Sequence, residues 1–376
     1  MISVIADDFT GAAEMAGIGL RFNLKTELSV AGRVDTQADL LVVSTDSRSM
    51  GMEDAGKITA DTVTGMQLLK PSLLFKKIDS VLRGHVVDEL KIQMQQLGLE
   101  KGLIIAGNPS LGRTIRDGRF FIDGVPVHET GFATDPEFAI KDASVLRMMG
   151  VRDGEVTVLK HSDPLPDKGI VLGEVNSVED VAKWAARVDG KWALAGAGDF
   201  FAELLRRNYS EQPQSGIQLE FPFLYVSGTA FEKNASFIKE ADRKSKLVKY
   251  LPAEMMKTGQ IDEDWVKDAQ QVLESKKKLI IAIDADVKRN VEATAASLRT
   301  TMARAVKEIV EKGKVREMFI EGGSTSAAIL HALGIVKLPL VNEISRGVVR
   351  TKVDDLYITV KPGSYGLPSQ IKELYN

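Results

Sequence analysis

Apolar residues along this chain gather in short runs, and each run is followed by a stretch in which they recur every three or four positions. The runs "ISVIA" (2 to 6), "LLVVS" (40 to 44), "LLFKK" (73 to 77), "GLIIA" (102 to 106) and "WALAG" (192 to 196) predict strands. In "HVVDELKIQMQQLG" the residues Val87, Leu90, Met94 and Leu97 fall on one helical face, and Gly98 supplies a stop. Such alternation predicts an α/β fold, with helices packed on a mainly parallel sheet. Residues 114 to 128 break the pattern: two Asp-Gly pairs bracket "RFFI", which predicts a β-hairpin excursion.

Between 207 and 222 the periodicity lapses into "RNYSEQPQSGIQLEFP", and "FLYVS" then opens a second alternation. The expectation is a two-domain α/β protein divided into 1–212 and 213–376, each part a mainly parallel sheet with flanking helices. The second part reads as strand 222–226, helix 231–242, strand 279–284, helix 292–312, strand 316–320 and helix 325–333.

Composition narrows the class. The 376 residues are 44% hydrophobic and 27% charged, a globular balance with length for two or three domains. A net charge of -3 gives no broad basic field, so neither nucleic acid nor an anionic membrane is an expected partner. The absence of cysteine excludes disulfides, thiolate metal sites and a cysteine nucleophile. No apolar stretch reaches the roughly 18 to 20 residues of a membrane helix, and the opening residues do not follow a leader pattern. The expected location is the cytoplasm.

Candidate chemistry collects at the predicted strand ends, where open α/β sheets bind ligands. Asp7 and Asp8 follow the first strand; Asp8 or Thr10 suits the cap of a helix starting near Gly11, which leaves one acid spare. "KKIDSVLRGH" brings Lys76, Lys77, Asp79, Ser80, Arg83 and His85, and "STDSR" brings Asp46, Ser47 and Arg48. These suit an anionic ligand with a hydroxyl that must lose a proton, against the plainer reading of caps on solvated strand ends. "AGNPSLGRTIRDG" adds Asn108 and Arg113, whose guanidinium fork matches a carboxylate.

In the second half "YVSGTAFEKN", "FIEGGSTSAAIL" and "VKPGSYG" each place glycine directly after a strand. Glycine lets the backbone approach a phosphate and helix N-termini offer free N–H groups, so three such loops favour a nucleotide pocket over simple turns. Neither GxxxxGK[ST] nor GxGxxG occurs. HExxH and GxSxG are also missing, and the four histidines lack metal-ligand spacing.

Taken in order, "IADDFTGAAEMA", "STDSR", "KKIDSVLRG", "NPSLGRTIRDGRFFIDGVPVHET", "VSGTA", "EGGSTSAAIL" and "VKPGSYG" resemble the four-carbon acid sugar kinase family over nearly the whole chain. The resemblance implies an N-terminal domain for the sugar acid and a C-terminal domain for the nucleotide. It also implies ATP-dependent phosphorylation, with Mg²⁺, of the terminal hydroxyl of threonate, erythronate or 3-oxo-tetronate. Position by position it implies an acid-sugar site of Asp7, Asp8, Arg48, Lys77, Asp79, Ser80, Arg83 and Arg113, with Asp7 or Asp79 as proton acceptor. Ser227, Gly322, Gly323, Ser324, Thr325 and Gly363 would line the nucleotide pocket. The partners are small molecules, and a homo-oligomer is allowed.

The chain departs from the family at Ser324, where an acid is usual, and in "SVLRGH", which replaces "STLRGN". Two alternatives therefore accompany the kinase reading. One is a sugar-acid-binding or regulatory relative with a decayed nucleotide site. The other is a Mg-dependent sugar-phosphate phosphatase built on Asp7 and Asp8, although the Asp-x-Asp spacing that chemistry uses is missing.

Overall fold

The computed structural model describes residues 1–376 except 31, 33, 35, 135–138, 214, 215, 229–231, 364 and 376. The chain folds as two compact units, Met1–Pro213 and Gln214–Asn376.

The first unit holds β1 (Ile2–Ala6), β2 (Thr26–Val30), β3 (Leu40–Ser44), β4 (Leu73–Lys77), β5 (Lys101–Ile105), β6 (Arg113–Arg116), β7 (Arg119–Ile122), β8 (Val125–Pro126), β9 (Val156–Leu159), β10 (Gly169–Gly173) and β11 (Trp192–Gly196). Its main sheet runs β2-β3-β1-β4-β11-β5-β10-β9, every pair parallel. All residues of β1, β3 and β11 are buried, as strands covered by helices on both faces require. Register then sets the geometry: Ala6 lies level with Ser44 and Lys77, and Lys77 with Gly196, so the residues that follow these strands emerge at one edge. β2 escaped the sequence reading because "TELSV" is half polar, yet it pairs with β3 along its length.

The expected excursion is a separate antiparallel sheet, β6-β7-β8. Its turns have positive φ at Asp117 and Gly118 and again at Asp123 and Gly124, the two-residue hairpin geometry that Asp-Gly favours. Ile115 and Phe120 anchor it in a core with Val127, Ala143 and Val145. The helix Val86–Leu97 ends at Gly98 in the left-handed region, as its sequence predicts.

In the second unit β12 (Phe223–Ser227), β13 (Val248–Tyr250), β14 (Lys278–Ala282), β15 (Glu317–Glu321), β16 (Lys337–Ser345), β17 (Val348–Val353) and β18 (Leu356–Lys361) are ordered β13-β14-β12-β15-β18-β17-β16. The strands from β13 to β18 in that order are parallel, and β18, β17 and β16 form an antiparallel meander. The predicted helices appear as Glu232–Ser245, Ala295–Lys312 and Gly323–Ala332. Thr294 caps the long helix, whose Leu298, Met302, Val306 and Ile309 enter the core. The meander and the helices Ala253–Thr258 and Glu263–Lys276 add to what the sequence suggested. Among the described residues no helix is long and apolar enough to cross a membrane.

Candidate functional site

The two acids after β1 diverge. Asp8, in extended conformation, caps the helix Phe9–Arg21 by accepting the Gly11 N–H at 2.8 Å. Gly11 must be small, because a Cβ there would lie 2.8 Å from Asp8 Oδ1 and 3.3 Å from Lys77 Nζ. Asp7 turns instead to Arg48, whose Nε and Nη2 donate to its two oxygens at 2.9 and 2.8 Å. The third guanidinium nitrogen of Arg48 donates to Asp8 Oδ2 at 2.9 Å and lies 3.5 Å from Asp79 Oδ1. One arginine thus gathers three carboxylates from two strand ends.

Local backbone places that arginine. Asp46 takes a left-handed conformation, φ 52°, and starts a single 3-10 turn, Ser47–Ser49. Arg48 N–H donates back to the Asp7 carbonyl at 3.1 Å. Gly84, with φ +81°, lets the next loop pass closely, since a Cβ there would sit 3.0 Å from Arg48 Cγ.

Asp79 is held more firmly than either neighbour. It accepts the backbone N–H groups of Val81 and Arg83 at 3.1 and 3.2 Å, and a two-pronged bond from the Arg83 guanidinium at 2.8 and 2.9 Å. Burial alone would raise its pKa, but Arg83, Arg48 and Lys77 together hold it well below the usual carboxylate range. Burial wins at Asp8, aided by the negative charge of Asp7, and its pKa is raised despite Arg48. The Arg48 guanidinium is lowered by burial but pushed up further by Asp7, Asp8 and Asp79, so it stays charged.

Strand alternation separates the two lysines of β4. Lys77 faces the carboxylates, donating to the Ile78 carbonyl at 2.7 Å and pairing with Glu14 at 3.4 Å. Lys76 is buried on the other face against Glu89, 2.5 Å away, and lies outside the site. Beyond Asp79, Ser80 receives a hydrogen bond from Arg113. The guanidinium groups of Arg83 and Arg113 stand 5.5 and 6.0 Å from the ring centre of Phe132, so one aromatic ring spaces two cations. His85 is tied to the Met50 carbonyl at 2.8 Å, a structural contact. Asn108 is fully buried and accepts the Asp199 N–H at 3.1 Å, fixing the loop that carries Arg113.

The second unit gathers glycine rather than charge. Register aligns Ser227 with Glu321 and Glu321 with Lys361, so Gly228, Gly322 and Gly363 leave adjacent strand ends. Gly322 has φ +106°, a conformation other residues resist, and a Cβ on Gly228 would lie 1.9 Å from Thr325 Oγ1. The Gly228 backbone thus packs on the Thr325 side chain, and its N–H donates to the Glu321 carbonyl at 3.0 Å. These loops border a cavity of about 300 Å³ lined by Gly228, Gly322, Gly323, Ser324, Thr325 and Gly363, with the apolar Ile283, Leu298 and Met302 and the cations Lys288 and Arg299. Ser227 lies beneath it, donating to Glu321 Oε2 at 2.9 Å. Thr229, Ala230 and Phe231 of "VSGTA" and "SGTAFEKN", and Ser364 of "VKPGSYG", lie outside the described residues.

Sequence reasoning missed Lys288, Arg299 and Phe132, which lie outside the quoted motifs, and Glu14, which lies inside "IADDFTGAAEMA" but was not singled out. It passed over Glu321 by ending that strand one residue early. Among the described residues, no cluster of three or more His, Asp or Glu side chains is arranged to hold a metal ion.

Residues 2–190 match the family model described as a sugar-binding N-terminal domain, and residues 224–371 match a nucleotide-binding C-terminal domain. A D-threonate kinase of Salmonella typhimurium is 24% identical over 412 aligned residues, covering 98% of this chain and 96% of that protein. A 3-oxo-tetronate kinase of Methylobacterium radiotolerans is 22% identical over 411, covering 97% and 96%. A solved chain from Salmonella typhimurium LT2 shares the fold, with a TM-score of 0.81 at 18% identity over 99% of this chain and 98% of that one.

Proposed function

The chain belongs to the four-carbon acid sugar kinase family, and on that premise we propose that it moves the γ-phosphoryl group of ATP to the terminal hydroxyl of threonate, erythronate or 3-oxo-tetronate. The observation that carries the nucleotide half is the glycine-lined cavity. Gly228 and Gly322 spend their own N–H groups on the Glu321 and Lys361 carbonyls and keep the wall free of side chains, while the backbone N–H groups of Gly323, Ser324 and Thr325 at the helix start suit phosphate oxygens, Lys288 and Arg299 suit their charge, and Ile283, Leu298 and Met302 suit a base. Ser324 in place of an acid leaves this lining intact, which favours a working pocket over a decayed one. A phosphatase would leave it without a use.

In the sugar-acid unit, Arg113 and Arg83 across Phe132 suit the substrate carboxylate, with Ser80 beside them. The acids around Arg48, with Lys77, suit the hydroxyls. Both oxygens of Asp7 and of Asp79 are already taken by arginine, and Asp79 is a poor base because it is held so far below its ordinary range. Asp8 gives one oxygen to Arg48 and the other to the Gly11 N–H, but it makes no two-pronged pair with an arginine, is the most exposed of the three, and has a raised pKa. What these contacts support is therefore Asp8 as the proton acceptor, with Asp7 and Asp79 as positioning groups.

In the reaction, the substrate hydroxyl gives its proton to Asp8 as its oxygen bonds to phosphorus and the bond to ADP breaks. Positioning and charge neutralisation supply most of the rate. A Mg²⁺ bound by the ATP phosphates needs only one or two carboxylates and waters besides, and would neutralise phosphate charge.

The test is ADP release with Mg²⁺ and ATP against D- and L-threonate, D- and L-erythronate, 3-oxo-tetronates and glycerate, beside Asp8→Asn. Turnover of one four-carbon acid, lowered about 10²–10⁴-fold in the variant, is the expected result. Silence across the panel with no ATP binding would favour the decayed-site reading instead.

A further inference from the structure

In the nucleotide unit one buried carboxylate joins all three glycine loops. Glu321, the last residue of β15, is fully buried. Its Oε2 accepts Tyr225 OH at 2.7 Å and Ser227 Oγ at 2.9 Å, and its Oε1 accepts Lys361 Nζ at 2.6 Å and Asn234 Nδ2. Each tie stands next to a loop. Ser227 precedes Gly228, Glu321 precedes Gly322, and Lys361 also donates to the Pro362 carbonyl at 2.8 Å, directly before Gly363. Asn234 reaches the carbonyl of Gly363 itself at 3.3 Å.

We infer that Glu321 is the positioning residue of the nucleotide cradle, setting the spacing of the Gly228, Gly322 and Gly363 backbones that wall the cavity and so the place of the helix start at Gly323 beside them. The inference rests on the nucleotide assignment proposed above. Glu321 is buried behind the residues that line the cavity and acts through the three strand ends. Strand β15 contains its own control. At the opposite end Glu317 is equally buried and forms a two-pronged pair with Arg350 at 2.8 and 2.9 Å, with the Glu220 N–H as a further donor, and touches no glycine of the cradle. A merely structural role would make the two glutamates alike.

The experiment compares Glu321→Gln, Glu317→Gln and Tyr225→Phe in the full chain, measuring ADP affinity by calorimetry, KM for ATP and for the acid sugar, and unfolding by urea. The expected result is ADP binding weakened at least about 10-fold in Glu321→Gln and about 3-fold in Tyr225→Phe, which removes one of the four hydrogen bonds to the carboxylate. KM for the acid sugar stays within about twofold, while Glu317→Gln loses comparable stability with ADP affinity unchanged. If Glu321→Gln does not fold, Tyr225→Phe against Glu317→Gln decides the question. Equal ADP affinity in wild type and the Glu321 and Tyr225 variants, or equal weakening by Glu317→Gln, overturns the inference alone. A wild-type chain that binds no ADP overturns it together with the nucleotide assignment.

Discussion

Arg48 is the counter-ion of three carboxylates, and its removal has a calculable consequence. Asp7, Asp8 and Asp79 have side-chain exposures of 4%, 21% and 5%, so they keep little water to replace the lost cation. A charge pair about 4 Å apart is worth about 4 kcal/mol at an effective dielectric of 20. Removing one partner of a buried pair costs about 3–5 kcal/mol net, and Arg48→Ala is expected to fall in that range at pH 8.

The acid with the raised pKa, Asp8, is then the first to take up a proton. Asp8, already raised by burial and by Asp7, loses in Arg48 its main lowering partner and rises further above the unfolded value, so its contribution is present at low pH and is lost as pH rises through the folded pKa. Stability of the variant therefore falls by about 1.4 kcal/mol per pH unit for each extra proton held by the folded state. In the wild type Asp79 behaves oppositely: its depressed pKa gives stability that is present above the unfolded pKa and lost only as pH falls through the folded one. Asp8 gives the wild-type first unit a slope of the variant's sign.

The assay is urea unfolding between pH 5 and 8, followed by tryptophan fluorescence in a Trp265→Phe background. Trp184 and Trp192, both buried in the first unit, then report that unit alone. A loss that is independent of pH, or below about 1 kcal/mol at pH 8, would refute the shared counter-ion.

Three further outcomes follow from named contacts. Lys76→Met should cost about 3–5 kcal/mol of stability by stranding Glu89 while sparing kcat, whereas Lys77→Met should lower kcat/KM at least about 10-fold; urea unfolding and steady-state kinetics separate the two. Gly112→Ala should destabilise the chain by at least about 1–3 kcal/mol, because the new methyl would lie 1.9 Å from Asp123 Oδ1 at a positive φ, and urea unfolding reads it directly. The pH profile of kcat should lose activity on the acid side as Asp8 protonates, with a midpoint above the ordinary carboxylate value; a flat profile down to pH 4 would remove Asp8 from that role.

The sequence carried the parallel strands because residues buried on both faces of a sheet leave unbroken apolar runs, as in β1 and β3. Cluster membership at the first strand ends was legible too, since Asp7, Arg48 and Asp79 each lie within about four residues of the end of such a strand. Direction was less visible. Lys76 and Lys77 read alike until the alternation of β4 sends one to Glu89 and the other toward Asp8. The meander was hidden by mixed composition: β16 contains Pro339, and in "KLPLVNEIS" only Leu338 and Glu343 are buried. Lys288 and Arg299 are ordinary helical cations in sequence, and only the packing of their helices brings them to the cavity.

The central claim is a division of labour: the first unit holds the acid sugar and the second holds the nucleotide. Calorimetric titration of ADP and of the preferred acid sugar into Arg113→Lys and Gly228→Ala tests it most directly. Arg113→Lys should weaken the acid sugar at least about 10-fold, or about 1.4 kcal/mol, and leave ADP within twofold. Gly228→Ala, whose Cβ would collide with Thr325, should do the reverse. Loss of both ligands in either folded variant, or of neither, would contradict the account.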